Sequence, residues 1–150
     1  MSVQIYHQKL HQQNKHLSNF HNHIPICGPL TDKEKELEAA IPDISQLDEL
    51  VNNYKWHHVV EQIWNHVGRC NKYVNDTEPW KQTNNPERLG TILYTLVEHL
   101  RIISILVWPI IPASAEKIAA QLGQTIGKLK DAKFKKDFYS AENLRAISER

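Results

Sequence analysis

The sequence predicts an all-α fold, a bundle of about five helices. Three observations lead there. Apolar residues recur at a 3.6-residue period over long stretches, as on the faces of amphipathic helices. The alternating pattern of half-buried strands is missing. Turn chemistry is confined to a few clusters, and with only 5 glycines in 150 residues there is little punctuation for a strand-rich fold. The length suits one domain with its own hydrophobic core.

The elements follow in order. Val3 to Phe20 is polar and poor in breakers, and reads as a first helix with Ile5, Leu10, Leu17 and Phe20 as its apolar positions. Pro25, Gly28 and Pro29 mark a loop. Thr31 with Glu34 three residues later is a capping box, so a helix begins there, and Pro42 interrupts it. A second stretch runs from about Ile44 to Tyr54. In the third helix Trp56, Val59, Val60, Ile63, Trp64, Val67 and Val74 form the apolar positions. His57, His58, Glu61, Gln62, Asn65 and Arg69 make its other face. Asn75 to Asn85 is a connection. Pro86 suits the first position of a fourth helix, where its missing N–H has no partner to lose. That helix runs to Val107 and becomes apolar nearly all round after Arg101, which places it at the bundle centre. Pro109 and Pro112 end it. A short helix from Ser114 to Leu122 stops at Gly123. The helical domain is thus 1–127, and 128–150 is a basic C-terminal tail with Lys128, Lys130, Lys133, Lys135 and Lys136.

Composition excludes several classes. A net charge of +1 is too small for a protein held on nucleic acid by charge alone, so any RNA binding here is local and shape-driven or depends on a partner domain. The 2 cysteines, Cys27 and Cys70, form no CxxC pair, which argues against a cysteine-rich zinc site or a disulfide framework. The N-terminus has no apolar stretch of signal-peptide length, and no segment reads as the roughly 20 apolar residues of a membrane span. The expected compartment is the cytoplasm, with no membrane partner. No Walker A loop, GxGxxG, HExxH or nucleophile signature is present, so the chain itself is expected to carry no catalytic residue. His7, His11 and His16, then His21, His23 and Cys27, are candidate metal ligands by residue type. A closed structural site wants four ligands, usually several cysteines, and a polar helix surface explains them better.

The informative stretch is Cys70-Asn71-Lys72-Tyr73-Val74-Asn75-Asp76-Thr77-Glu78-Pro79-Trp80. It resembles, without gaps, a segment of methionyl-tRNA synthetases of pattern Ala-Asn-x-Tyr-(Ile/Val)-Asp-x-x-x-Pro-Trp. The resemblance continues through Pro86-Glu-Arg-Leu, Ile92-Leu-Tyr94 and Glu98-x-Leu-Arg101-Ile-Ile-x-Ile-Leu106. It then reaches Pro109-x-x-Pro112-x-Ser-Ala-x-Lys117-Ile and Gln121-Leu-Gly123. It spans residues 70 to 123, and residues 10–69 fit more loosely.

The resemblance implies the helical anticodon-binding domain of a class I synthetase. It implies tRNA of the methionine type as partner and Trp80 as the residue that stacks on an anticodon base. Unpaired bases are read by stacking on aromatic faces plus hydrogen bonds to their edges. The family places an asparagine and an arginine at i, i+4 on the first helix. Here those positions fall on His11 and Lys15, with Asn14 nearby. Lysine keeps the charge but loses the planar fork of arginine. Asn75 replaces the usual aspartate. Lys81 and Arg69 are candidates for phosphate contacts.

The HIGH-type and KMSKS-type signatures of the catalytic domain are not in this chain, so no cofactor is expected here; ATP would belong to a catalytic domain, a possible partner. Two organisations stay open, a piece of a methionine-tRNA ligase and a stand-alone paralogue. The alternative function is a non-catalytic helical interaction module that has lost anticodon reading and binds protein. An exposed Trp80 at a bundle end favours RNA, and a Trp80 packed in the core favours the alternative.

Overall fold

The computed structural model describes residues 24–136 and residue 138. Those residues form α1 (Asp32–Ala39), α2 (Ile44–Asn52), α3 (Trp56–Thr77), α4 (Pro86–Val107) and α5 (Pro112–Gln121). Single 3₁₀ turns stand at Pro79–Lys81 and Leu129–Asp131. The fold is all-α, a helical bundle as expected. The helix expected over Val3–Phe20 lies outside the described residues.

Local chemistry sets most boundaries. At the start of α1 the Glu34 carboxylate accepts the Thr31 backbone N–H at 2.7 Å and its hydroxyl at 2.6 Å. Asp43 caps α2 by accepting the Ser45 and Gln46 N–H groups. A left-handed Tyr54 (φ 57°) follows that helix, where glycine would be the unstrained choice. Asn85 caps α4 through the Arg88 N–H, and Pro86 takes the first helical position. Gly123, at φ +70°, closes α5. Its N–H bonds the Ala120 carbonyl and the Gln124 N–H bonds that of Ala119, the paired bonds of a Schellman motif. Two boundaries move from the sequence expectation. α5 begins at Pro112 rather than Ser114. α3 runs on to Thr77, because Val74 and Thr77 bury themselves and the Thr77 hydroxyl bonds back to the Tyr73 carbonyl.

α4 is the axis of the molecule. Every residue from Leu89 to Val107 is buried, and α3, α5 and the 128–136 segment surround it. Among the described residues it alone is long and apolar enough to cross a membrane by composition, at mean hydropathy 1.5. This differs from the expectation that no segment has the composition of a membrane span. That whole window lies inside the protein, which makes α4 a core helix.

The face of α3 turned to the core is not the one its tryptophans suggest. Val59, Ile63, His66, Cys70, Tyr73, Val74 and Thr77 are buried, whereas Trp56, Val60 and Trp64 are exposed. Two apolar stripes run along this helix, and periodicity cannot say which one meets α4.

Residues 128–136, read from the sequence as the start of a basic tail, pack against α4. Arg101 and Glu98 are 4% and 0% exposed. Arg101 Nε and Nη2 donate to the two Glu98 oxygens at 2.9 and 2.7 Å. The same guanidinium donates to the carbonyls of Asp131 and Lys133, both at 2.8 Å. Glu98 accepts the Lys135 N–H at 2.8 Å, and the Tyr94 hydroxyl donates to the Lys135 carbonyl at 2.5 Å. Ala132 is buried in the core, and the Phe138 ring lies under the Arg101 guanidinium at 4.4 Å.

The loop before α1 is fastened to α4 by a close approach. The Gly28 N–H donates to Thr91 Oγ1 at 3.1 Å, and a Cβ on Gly28 would stand 2.7 Å from that oxygen. Thr91 is buried and its hydroxyl already bonds the Glu87 carbonyl, so it has nowhere to go. Gly28→Ala is therefore expected to destabilise the chain by about 1–3 kcal/mol, the usual range for overpacking. Urea unfolding followed by circular dichroism checks this; a midpoint equal to wild type would mean that the loop stands off α4.

Candidate functional site

The end of the bundle where α3 stops is built by backbone geometry. Glu78 sits in the left-handed region (φ 42°, ψ 62°) and donates its N–H to the Val74 carbonyl, which ends α3. Pro79 cannot continue a helix and is buried. The chain then makes one 3₁₀ turn, with the Lys81 N–H on the Glu78 carbonyl at 2.8 Å and the Gln82 N–H on that of Pro79 at 3.1 Å. Trp80 is carried on this turn and is 44% exposed. It is anchored by its neighbours in the chain but leaves much of its indole to solvent.

The other expected residues fall as follows. Lys81 is beside Trp80 and pairs with Glu78 at 2.7 Å, both side chains being well exposed. Such a surface pair is worth little and yields readily to a phosphate. Arg69 is exposed on α3, eight residues before its end, so it stands about 12 Å back along the axis. It is not gathered with Trp80. His11, Asn14 and Lys15 lie outside the described residues.

The structure adds residues that the sequence reading missed. A cleft of about 440 Å³ opens beside the turn, lined by Thr31, Asp32, Lys33, Asp76, Thr77, Gln82 and Arg88. Lys33 donates to the Asp76 carbonyl at 2.9 Å across it, and the Gln82 amide donates to the Thr77 carbonyl at 3.3 Å. Lys33 and Gln82 thus place a cation and an amide on the cleft that adjoins the end of α3. No motif announces them, because the start of α1 and the end of α3 meet only in the folded chain.

Behind the cleft a buried charge cluster holds three helices together. Glu34 is 1% exposed. Arg88 grips its two oxygens at 3.0 and 2.7 Å, and the Tyr73 hydroxyl donates to it as well. Burial alone would raise the Glu34 carboxyl, but hydrogen bonds from Arg88, Thr31 and Tyr73 outweigh it and hold the group at about 2. Burial pushes the Tyr73 phenol up, and the Glu34 carboxylate adds to the effect. The hydrogen bond to Glu34 raises Arg88. With this cluster α1 and α4 are braced against α3 near the turn that carries Trp80.

Comparison with known proteins bears on this site. The family model for the anticodon-binding domain of tRNA ligase matches residues 37–149. The chain belongs to that family. Within it the similarity is to methionyl enzymes. The methionine--tRNA ligase of Clostridium acetobutylicum is 39% identical over 101 residues, covering 63% of this chain and 16% of that protein. That of Deinococcus radiodurans is 35% identical over 106 residues, covering 67% and 15%. Among solved structures, apo methionyl-tRNA synthetase of Mycobacterium tuberculosis superposes with a TM-score of 0.70 at 25% identity, over 89% of this chain and 26% of that one. The same enzyme in complex with methionyl-adenylate gives a TM-score of 0.66 at 28% identity, over 76% and 24%. The anticodon-binding domain here thus spans about one sixth of the length of the curated relatives it matches.

Proposed function

We propose that this anticodon-binding domain receives the anticodon loop of a methionine-type tRNA, as part of a methionine-tRNA ligase or as its stand-alone relative. The observation that carries the reading is Trp80, on a one-turn platform at the end of α3 and 44% exposed. A tryptophan packed into the core would have favoured the protein-interaction alternative. Its indole stacks on an unpaired base, an interaction that tolerates any base and needs no excess of positive charge. Lys81, Lys33 and Gln82 supply polar contacts around that base. Arg69, further back on α3, meets the RNA backbone away from it. His11 and Lys15, with Asn14 nearby in the sequence, supply polar or phosphate contacts to the RNA. Methionine activation, with its ATP, belongs to a catalytic domain as partner.

The test is a titration of the chain, at fixed salt, against a tRNA carrying CAU and the same tRNA with its anticodon changed. Trp80→Ala is expected to weaken CAU binding about 5- to 150-fold, the equivalent of roughly 1–3 kcal/mol of stacking. Affinity should fall only gently with salt, because few phosphates are neutralised. Equal binding of both tRNAs, unmoved by Trp80→Ala, would sink the proposal and return the interaction module to first place.

A further inference from the structure

The middle of the bundle holds a polar cluster unconnected with the Trp80 end. His66 and Cys70 are one turn apart on α3, and His99 faces them from α4. Their exposures are 1%, 7% and 1%. His66 Nε2 and His99 Nδ1 are 3.2 Å apart, and Cys70 Sγ is 3.8 Å from His66 Nε2. All three donor atoms lie within 4.8 Å of one another.

We propose that His66, Cys70 and His99 form a buried cation site for Zn²⁺ or a similar nitrogen- and sulfur-seeking divalent ion, which ties α3 to α4. The distances support it. In a tetrahedral zinc site, with Zn–N about 2.0–2.1 Å and Zn–S about 2.3 Å, two nitrogens stand about 3.3 Å apart and a nitrogen and a sulfur about 3.6 Å. The observed 3.2 and 3.8 Å fall close to both.

Only one proton fits between the two facing nitrogens, so one histidine must donate there and the other accept. His99 Nε2, on the outer side of its ring, is buried with no hydrogen-bond partner, while His66 has the Ala40 backbone carbonyl beside it. With an ion between them both inner nitrogens present lone pairs, and each ring carries its proton on the outer nitrogen.

Binding releases the Cys70 thiol proton to solvent and leaves a metal thiolate, with no change of oxidation state. The three side chains supply three ligands, and a water completes the tetrahedron in an open site of this kind. His66-x-x-x-Cys70 is helical ligand spacing that the sequence shows, but the third ligand comes from a helix 29 positions on, and nothing local points to it.

The experiment titrates Co²⁺ into the reduced 150-residue chain at neutral pH. The expected result is a sulfur-to-cobalt charge-transfer band that saturates at one ion per chain and is bleached by Zn²⁺. The chain has only 2 cysteines, so the band should persist in Cys27→Ser and vanish in Cys70→Ser. The other histidines cannot produce it by themselves, having no sulfur. Zn²⁺ should also raise the melting temperature, and a chelator should return it. A chain with a native circular dichroism spectrum that shows no such band in excess Co²⁺ overturns the proposal. So does a band lost in a folded Cys27→Ser. The Cys27→Ser arm decides the matter even where Cys70→Ser fails to fold.

Discussion

Arg101→Ala is expected to cost the chain about 3–5 kcal/mol of stability, the range for breaking a buried ion pair by removing one partner. The loss comes from what is left behind. Glu98 stays buried in the core helix with the Lys135 N–H as its remaining donor, and the Asp131 and Lys133 carbonyls lose their partner. The 128–136 segment is held to α4 largely by these bonds, so it should loosen together with the loss of stability. Urea denaturation measures the first effect, and limited trypsin digestion at Lys130, Lys133, Lys135 and Lys136 measures the second. Replacing both partners, as in Glu98→Leu with Arg101→Met, removes the stranded charge and should recover part of the stability. It should not restore protection of the segment, because the backbone carbonyls remain without a donor. An Arg101→Ala chain within 1 kcal/mol of wild type, with its tail still protected, would contradict the buried clamp.

Glu34→Ala should have the second-largest effect, about 3 kcal/mol, because three donors from three elements converge on one buried carboxylate. Its pH dependence separates it from a packing defect. The folded value of about 2 lies below the ordinary 4.5, so ionised Glu34 favours the folded chain. That contribution is complete above about pH 4.5 and is lost as pH falls towards 2. It amounts to about 3 kcal/mol for a shift of this size. Wild type should therefore lose stability through that window more steeply than Glu34→Gln, which has no proton to take up. Parallel urea midpoints for the two chains from pH 5 to pH 2.5 would show that the carboxylate is not held as described. Loosening α1 from α4 should also disturb the cleft of Lys33 and Gln82, so weaker RNA binding by Glu34→Gln at neutral pH is expected to accompany it.

Much of the bundle could be read along the chain because its signals are local. Glu34 three residues after Thr31, Asn85 before Pro86, and Gly123 after α5 are start and stop chemistry complete within a few residues. The apolar character of 86–107 could mean only a central helix once length and caps were set. Trp80 stood out through the order of short motifs from Cys70 to Gly123, and no single one of them would have sufficed.

What could not be read is whatever depends on residues far apart in sequence. α3 carries two apolar stripes, and the one that includes His66, Cys70 and Thr77 faces the core while Trp56 and Trp64 stay outside. The choice is made by fit against α4, which a single helix's periodicity does not encode. Glu34 and Arg88 are 54 residues apart, one read as a capping-box residue and the other as part of a motif, and nothing local says that they pair. The lysine-rich segment after Gly127 has the composition of a solvated tail. It packs nonetheless, because its backbone satisfies Arg101 and Glu98 while Ala132 and Phe134 join the core, and backbone donors and acceptors are the same at every position of any sequence.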